Sequence, residues 1–209
     1  MPSDNIQKAY KSSKNIYNDV LTQKKWWSRL YINTFWGGVD DNEIAKILLD
    51  YIPKDFNGEL LDVPVGTGIF TFNTYKNLNQ AKITCLDYSK DMLVKAQKCF
   101  NENNINNVNF LQGDISSLPF KSSSFDIVIS MNGFHAFKNK TKANSEIGCF
   151  YIKGENKITD FIVKNFLSKK GWFSPPFETS NDVYKRLINN YSSVEFYTNK
   201  SMCLFNCIK

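Results

Sequence analysis

The chain has 209 residues, 42% of them hydrophobic and 22% charged, with a net charge of +6. This composition excludes a disordered or collagen-like chain, and the length allows a full core without disulfide or metal staples. No apolar run approaches the ~20 residues of a membrane-spanning helix, and of the 26 basic residues only Arg29 and Arg186 are arginine, which argues against a nucleic-acid reader built on bidentate contacts.

The N-terminal segment Met1-Pro2-Ser3-Asp4-Asn5 has no apolar stretch of the secretory kind. The five cysteines (Cys85, Cys99, Cys149, Cys203 and Cys207) form no CxxC pair and the chain has one histidine. That pattern fits reduced, buried thiols in a cytoplasmic protein better than a zinc site or a disulfide framework. No metal site is expected.

The first fifty residues read as helical, with Ile16, Val20, Trp27, Leu30, Tyr31 and Thr34 at three- and four-residue spacing. Phe35-Trp36-Gly37-Gly38 breaks the pattern. Trp26 and Trp27 are adjacent, so a helix cannot turn both to one side. Asp40 or Asp41 then caps a helix over residues 44–49, which Pro53 closes.

Strand and helix alternate from there. Strands are predicted at 59–63, 82–87, 108–112, 125–131 and 148–153, with helices at 90–103 and 158–168. Alternation of this kind builds a parallel sheet covered on both faces. The end of the chain differs. A helix near 181–190 precedes two strand-like runs, 194–198 and 202–208, joined by Asn199-Lys200, which is a hairpin signal. The Asn-rich stretch 101–109 reads as one loop.

Three strand ends carry the chemistry. The first is Leu60-Leu61-Asp62-Val63-Pro64-Val65-Gly66-Thr67-Gly68, an apolar strand ending in an acid and a glycine turn. Glycines there admit a ligand close to the backbone. A dinucleotide fingerprint would need a small residue where Thr71 stands, and a phosphate loop would need Gly-Lys-Ser/Thr. The second is Asp87, placed to accept from both hydroxyls of a ribose. The third is Gly113-Asp114-Ile115, where an acid can meet the exocyclic amine of an adenine. Together they describe an adenosine pocket without a pyrophosphate clamp.

Asp62-x-Pro64-x-Gly66-x-Gly68 resembles motif I of the class I S-adenosylmethionine-dependent methyltransferases. Leu86-Asp87-Tyr88-Ser89-Lys90-Asp91-Met92-Leu93, Gln112-Gly113-Asp114-Ile115, Leu118-Pro119-Phe120 and Ser124-Phe125-Asp126-Ile127-Val128 resemble that family's next three strand signatures, in its UbiE-like small-molecule branch. The resemblance covers about residues 40–150. It implies an α/β, Rossmann-like fold: a seven-stranded, mostly parallel sheet with helices on both faces and a C-terminal antiparallel hairpin. A helical lid (1–40) would precede an S-adenosylmethionine-binding domain (41–209).

The implied function is methyl transfer from S-adenosylmethionine to an O, N, S or C nucleophile of a small molecule. An RNA methyltransferase and a non-catalytic S-adenosylmethionine-binding protein stand as alternatives. By the same resemblance the cofactor contacts are Asp62, Pro64, Gly66, Gly68, Asp87, Tyr88, Met92, Asp114, Ile115, Met131 and Asn132. Acceptor contacts are Tyr17, Trp27, Tyr31 and Phe134, and the catalytic candidate is His135. Pro64 departs from the family's usual glycine. A second departure is the passage from Glu146-Ile147 directly into Gly148-Cys149-Phe150, without the Lys-Pro-Gly-Gly-type turn: either the crossover is unusually short or a segment is omitted between Ile147 and Gly148, and the expectation is the omission. Ser174-Pro175-Pro176-Phe177 resembles a catalytic motif of amino-methyltransferases, but it follows the fifth strand rather than the fourth and reads as a rigid loop.

Overall fold

The computed structural model describes residues 41–133, 137, 146–169, 171 and 173–209. The elements are α1 (Asp41–Leu49), β1 (Glu59–Asp62), α2 (Phe72–Tyr75), β2 (Lys82–Asp87), α3 (Lys90–Glu102), β3 (Val108–Gln112), β4 (Ile127–Met131), β5 (Ile147–Tyr151), α4 (Lys157–Ile162), α5 (Ser180–Ile188), β6 (Ser193–Asn199) and β7 (Met202–Ile208). A single seven-stranded sheet runs β3-β2-β1-β4-β5-β7-β6. The first five strands pair in parallel and β7 runs antiparallel to both β5 and β6. The expected architecture is therefore present.

Local chemistry sets the element ends. Ser89 caps α3, its hydroxyl accepting from the Met92 N–H, and the stripe Met92, Leu93, Ala96 and Phe100 is buried. Thr179 and Asp182 form a reciprocal capping box at the start of α5. β4 begins at Ile127, later than the predicted 125. Asp126 N–H still donates to the Glu59 carbonyl at 2.8 Å, but the Asp126 carboxylate takes the Glu59 N–H at 2.8 Å in place of a backbone carbonyl, and the Phe125 ring stands edge-on to Phe120 at 4.8 Å.

The predicted helix over 158–168 is α4 followed by a π-helical stretch, Val163–Leu167, closed by Ser168 N–H donating to the Val163 carbonyl at 2.9 Å. Ile147 and Gly148 both lie inside β5, each paired with β4 on one side and β7 on the other. The peptide bond where an omitted segment was expected is the first of β5. The short crossover belongs to residues 132–146, most of which are outside the described residues.

One face of the sheet packs Leu60, Ile83, Cys85, Ile129, Ile147 and Cys149 against α1, α2, α3 and the π-helical stretch. On the other face, Phe150, Cys203, Phe205 and Cys207 pack against Val183 and Leu187 of α5, and Leu61, Val63 and Leu86 are covered by the loops around Ile115, Leu118 and Phe120. Phe177 of the Ser-Pro-Pro-Phe loop packs against the first of these layers. Among the described residues, no helix is long and apolar enough to cross a membrane.

Candidate functional site

The strand order reverses at β1: the chain moves outward through β2 and β3, then returns to place β4 on the other side of β1. Ligands of open α/β sheets bind outside the carboxyl ends of the strands at such a switch point. Asp62 ends β1, Asp87 ends β2 and Met131 ends β4, with Gly113-Asp114-Ile115 directly beyond β3. The parallel pairing therefore brings all four predicted segments to one edge. Backbone bonds lace that edge together: Val63 N–H donates to Ile129 O at 2.9 Å, Val65 N–H to Leu86 O at 3.0 Å, and Gly113 N–H to Asp87 O at 3.1 Å.

The glycine turn has left-handed backbone at both glycines, φ +58° at Gly66 and +72° at Gly68, a region that penalises any Cβ. Their surroundings differ. A Cβ on Gly66 would meet nothing within 4 Å, whereas one on Gly68 would strike the Phe100 ring. Gly66 thus faces open space suited to a ligand, and Gly68 lets the turn lie on α3. The Val63-Pro64 peptide is cis, and the Pro64 ring lies directly against Gly133 beyond β4.

Asp87 is fully buried. Its Oδ2 accepts from the Gly66 N–H at 2.9 Å and its Oδ1 from the Ser89 N–H at 2.8 Å. Burial lifts its carboxyl up to about 6, against the pull of those two N–H groups. Each oxygen keeps a second lone pair. Asp62 is 1% exposed, and its Oδ2 accepts from the Tyr75 hydroxyl at 2.9 Å. Burial pushes its carboxyl up to about 7, with Tyr75 and the nearby Thr71 hydroxyl pulling down and the Asp87 charge pushing up. Thr71 lies near enough for that influence but makes no hydrogen bond of sound geometry: Thr71 Oγ1 and Asp62 Oδ1 are both buried without a partner.

Tyr75 was not a sequence candidate. Its place on α2, seven residues after Gly68, repeats the helical period from the glycine turn, but nothing in the sequence marks which strand end it reaches. Of the predicted contacts, Met92 is buried in α3, while Tyr88 and Ile115 are half-buried and Asp114 is exposed. Met131 is buried at the end of β4. Asn132 has φ +52°, and its side-chain oxygen accepts from the Cys149 thiol at 3.6 Å. Tyr17, Trp27, Tyr31, Phe134 and His135 lie outside the described residues.

These residues fit S-adenosylmethionine. Asp62 Oδ1 is a buried acceptor without a partner, the open cradle at Gly66 admits a chain close to the backbone, and the two buried carboxylates suit a ligand with an ammonium, a sulfonium and ribose hydroxyls.

Residues 60–148 match the family described as "Methyltransferase domain". A segment of 91 residues is 36% identical to the ubiquinone/menaquinone biosynthesis C-methyltransferase UbiE of Wigglesworthia glossinidia brevipalpis, covering 43% of this chain and 36% of that protein. Residues 60–148 are thus similar to a methyltransferase domain, and a stretch of the chain is shared with a UbiE protein.

Other matches run beyond that segment. A chloroplastic uncharacterized methyltransferase of Arabidopsis thaliana is 23% identical over 184 residues, covering 86% of this chain and 50% of its own length. A demethylmenaquinone methyltransferase of Chlorobaculum tepidum is 27% identical over 173 residues, covering 78% and 65%. The chain thus spans about half to two thirds of these two relatives and a smaller share of the UbiE protein.

Among solved structures, an S-adenosylmethionine-dependent methyltransferase from Aquifex aeolicus superposes with a TM-score of 0.54 at 14% identity, covering 92% of this chain and 98% of that one. The [4+2]-cyclase SpnF superposes at 0.59 with 17% identity, covering 77% and 62%. A cyclase on this fold is a reminder that the fold alone does not name a reaction. The likeness to methyltransferases rests on the match over residues 60–148 and on the relatives' sequences.

Proposed function

We propose that the protein transfers a methyl group from S-adenosylmethionine to a nucleophilic O, N, S or C atom of a small molecule. The observation that carries this reading is Asp87 clasping the Gly66 N–H across the switch point, which joins the ribose-binding position to the glycine turn. The cofactor supplies a methyl group already activated by its sulfonium. The protein's contribution is therefore alignment and exclusion of water.

In this reading Asp62 accepts from the ammonium of the methionine end, and Gly66 and Gly68 leave room for its chain beside Pro64. The free lone pairs of Asp87 accept from the ribose hydroxyls. Tyr88, Met92 and Ile115 flank the adenine and Asp114 meets its amine. Met131 and Asn132 border the reacting centre, where alignment matters most. His135, the only histidine, takes a proton from acceptors that must lose one. Phe134, Tyr17, Trp27 and Tyr31 contact the acceptor, the last three from a lid formed by residues 1–40 over the 41–209 domain. Cysteines held as free thiols, four of them buried, support a reducing, cytoplasmic setting.

A small acceptor is preferred over RNA because Arg186 is the arginine in the described residues and it is already engaged. Its guanidinium pairs with Glu178 at 3.1 Å with both side chains mostly buried, leaving an RNA-facing surface to lysines. Calorimetric titration with S-adenosylmethionine and S-adenosylhomocysteine tests the cofactor, and absence of heat with both overturns it. Transfer of radiolabelled methyl to small-molecule, RNA or protein fractions then tests the acceptor class. Label only in RNA or protein overturns the small-molecule reading, and binding without any transfer leaves a non-catalytic binder.

A further inference from the structure

Four groups pack around the Asp62 carboxylate. Tyr75 reaches it from α2 and Thr71 from the turn before α2, while Cys85 stands opposite it on β2 with Asp87 two residues further along. The Tyr75 hydroxyl donates to Oδ2 at 2.9 Å, in a position where no water competes. The Tyr75 ring is fully buried and stands edge-on to Phe100 at 5.9 Å, the same ring that fills the space beside Gly68. The phenol is therefore fixed by packing that also fixes the glycine turn. Oδ1 of the same carboxylate has no partner.

A buried carboxylate with no donor is driven to its neutral form, and a donor on one oxygen favours the ionised form. A neutral carboxyl offers little to a cation. The hydroxyl on Oδ2 therefore decides two things: which oxygen is left to accept a ligand's N–H, and whether that oxygen carries charge near neutral pH. A phenylalanine at position 75 would keep the ring contact and lose both.

We propose that Tyr75 is a positioning residue, which holds Asp62 by Oδ2 and so leaves Oδ1 as the charged acceptor for the ammonium of the bound amino-acid end. This rests on the cofactor reading above, which did not assign Tyr75. The opposing carboxylate of Asp87 disfavours a second negative charge at this spot, and Asp62 in turn holds the Cys85 thiol, already raised by burial, further up. Tyr75, itself pushed up by burial and by Asp62, stays a proton donor across the working range.

The test compares the full chain with Tyr75→Phe in two measurements. Carbon-13 NMR of aspartate-labelled, unliganded protein follows the Asp62 carboxyl, and calorimetry follows S-adenosylhomocysteine affinity from about pH 5 to about pH 9. The expected result is an Asp62 midpoint near 7 in the wild type, displaced upward by about one pH unit in Tyr75→Phe. Affinity near neutral pH should fall about fivefold and recover as pH rises past the displaced midpoint. An unmoved midpoint, or an affinity loss equal at every pH, overturns the role of Tyr75 and leaves it a packing residue. Wild-type protein that binds no S-adenosylhomocysteine at any pH overturns the cofactor reading instead. If Tyr75→Phe does not fold, the ring Cζ resonance of labelled tyrosine in the wild type decides: it must shift with the Asp62 midpoint, and a flat response overturns the proposal.

Discussion

Gly133 lies so close to the ring of Pro64 that a Cβ on residue 133 would overlap the proline Cγ and Cδ atoms. The contact joins the loop after β1 to the loop after β4 across the switch point. Gly133 is not among the positive-φ residues, so an alanine there is a steric problem and not a backbone one. Gly133→Ala should lower stability by about 1–3 kcal/mol through overpacking. Adding Pro64→Ala should recover part of that loss, because residues in contact couple. Urea melts of both single variants and the double variant measure the coupling, and simple additivity would show that the two loops do not bear on each other.

The two turn glycines should respond differently to alanine. Both would carry the cost of a left-handed backbone, about 1–2 kcal/mol. Gly68→Ala adds a clash with Phe100 and should lose more stability, by about 1–3 kcal/mol beyond that. Gly66→Ala meets open space, so its larger effect should be on affinity for S-adenosylhomocysteine. Thermal unfolding and calorimetry on the pair separate the two effects, and equal losses on both scales would contradict the assignment of the open space to a ligand.

The raised carboxyls predict a pH dependence of the unliganded protein. Asp62 moves up to about 7 and Asp87 up to about 6, chiefly by burial, from unfolded values near 4. The folded protein therefore binds more protons than the unfolded chain between those limits. Their contribution to stability is complete below about pH 4 and is lost as pH rises through about 6 and 7. Cofactor binding should run the other way, since a cation and hydrogen-bond donors favour the ionised carboxylates. Denaturation across this range should thus show a falling contribution with pH that Asp62→Asn reduces, leaving the share of Asp87, with ligand affinity rising over the same interval. A slope unchanged in Asp62→Asn would mean that another group titrates.

His135→Ala separates chemistry from binding. Turnover should drop by about 10²–10⁴-fold for an acceptor that must be deprotonated, while S-adenosylhomocysteine affinity stays close to wild type. Unchanged turnover with the same acceptor removes His135 from the mechanism.

Much of this architecture could be read from the sequence because each piece is local. β2, β3 and β7 fall at their predicted bounds, since Lys82, Val108 and Met202 each open an apolar-rich run between turn residues. Asp62, Asp87 and the glycine turn could be read because strand, acid and turn follow one another along the chain. The π-helical stretch could not: Val163 and Leu167 keep an ordinary helical spacing of four and are both buried, so the pattern conceals the wider turn. Tyr75 and the Pro64–Gly133 contact also escaped, because each depends on how separate segments dock and not on what any segment prefers. The Asp126 carboxylate on the Glu59 backbone shortened β4 for the same reason.

The strand order has a consequence for how the pocket comes into being. Its contributors lie at 62–68, 87–92, 113–115 and 131–133, and β4 must insert beside β1 to bring the last of these to the others. A chain ending before Ile127 would leave β1 as an edge strand and Pro64 without the surface of Gly133. Nascent protein emerging from the ribosome should therefore gain ligand-dependent resistance to protease only once β4 has been synthesised and has docked, which makes the pocket a late product of folding and bound ligand a clamp on the step that completes the sheet's centre.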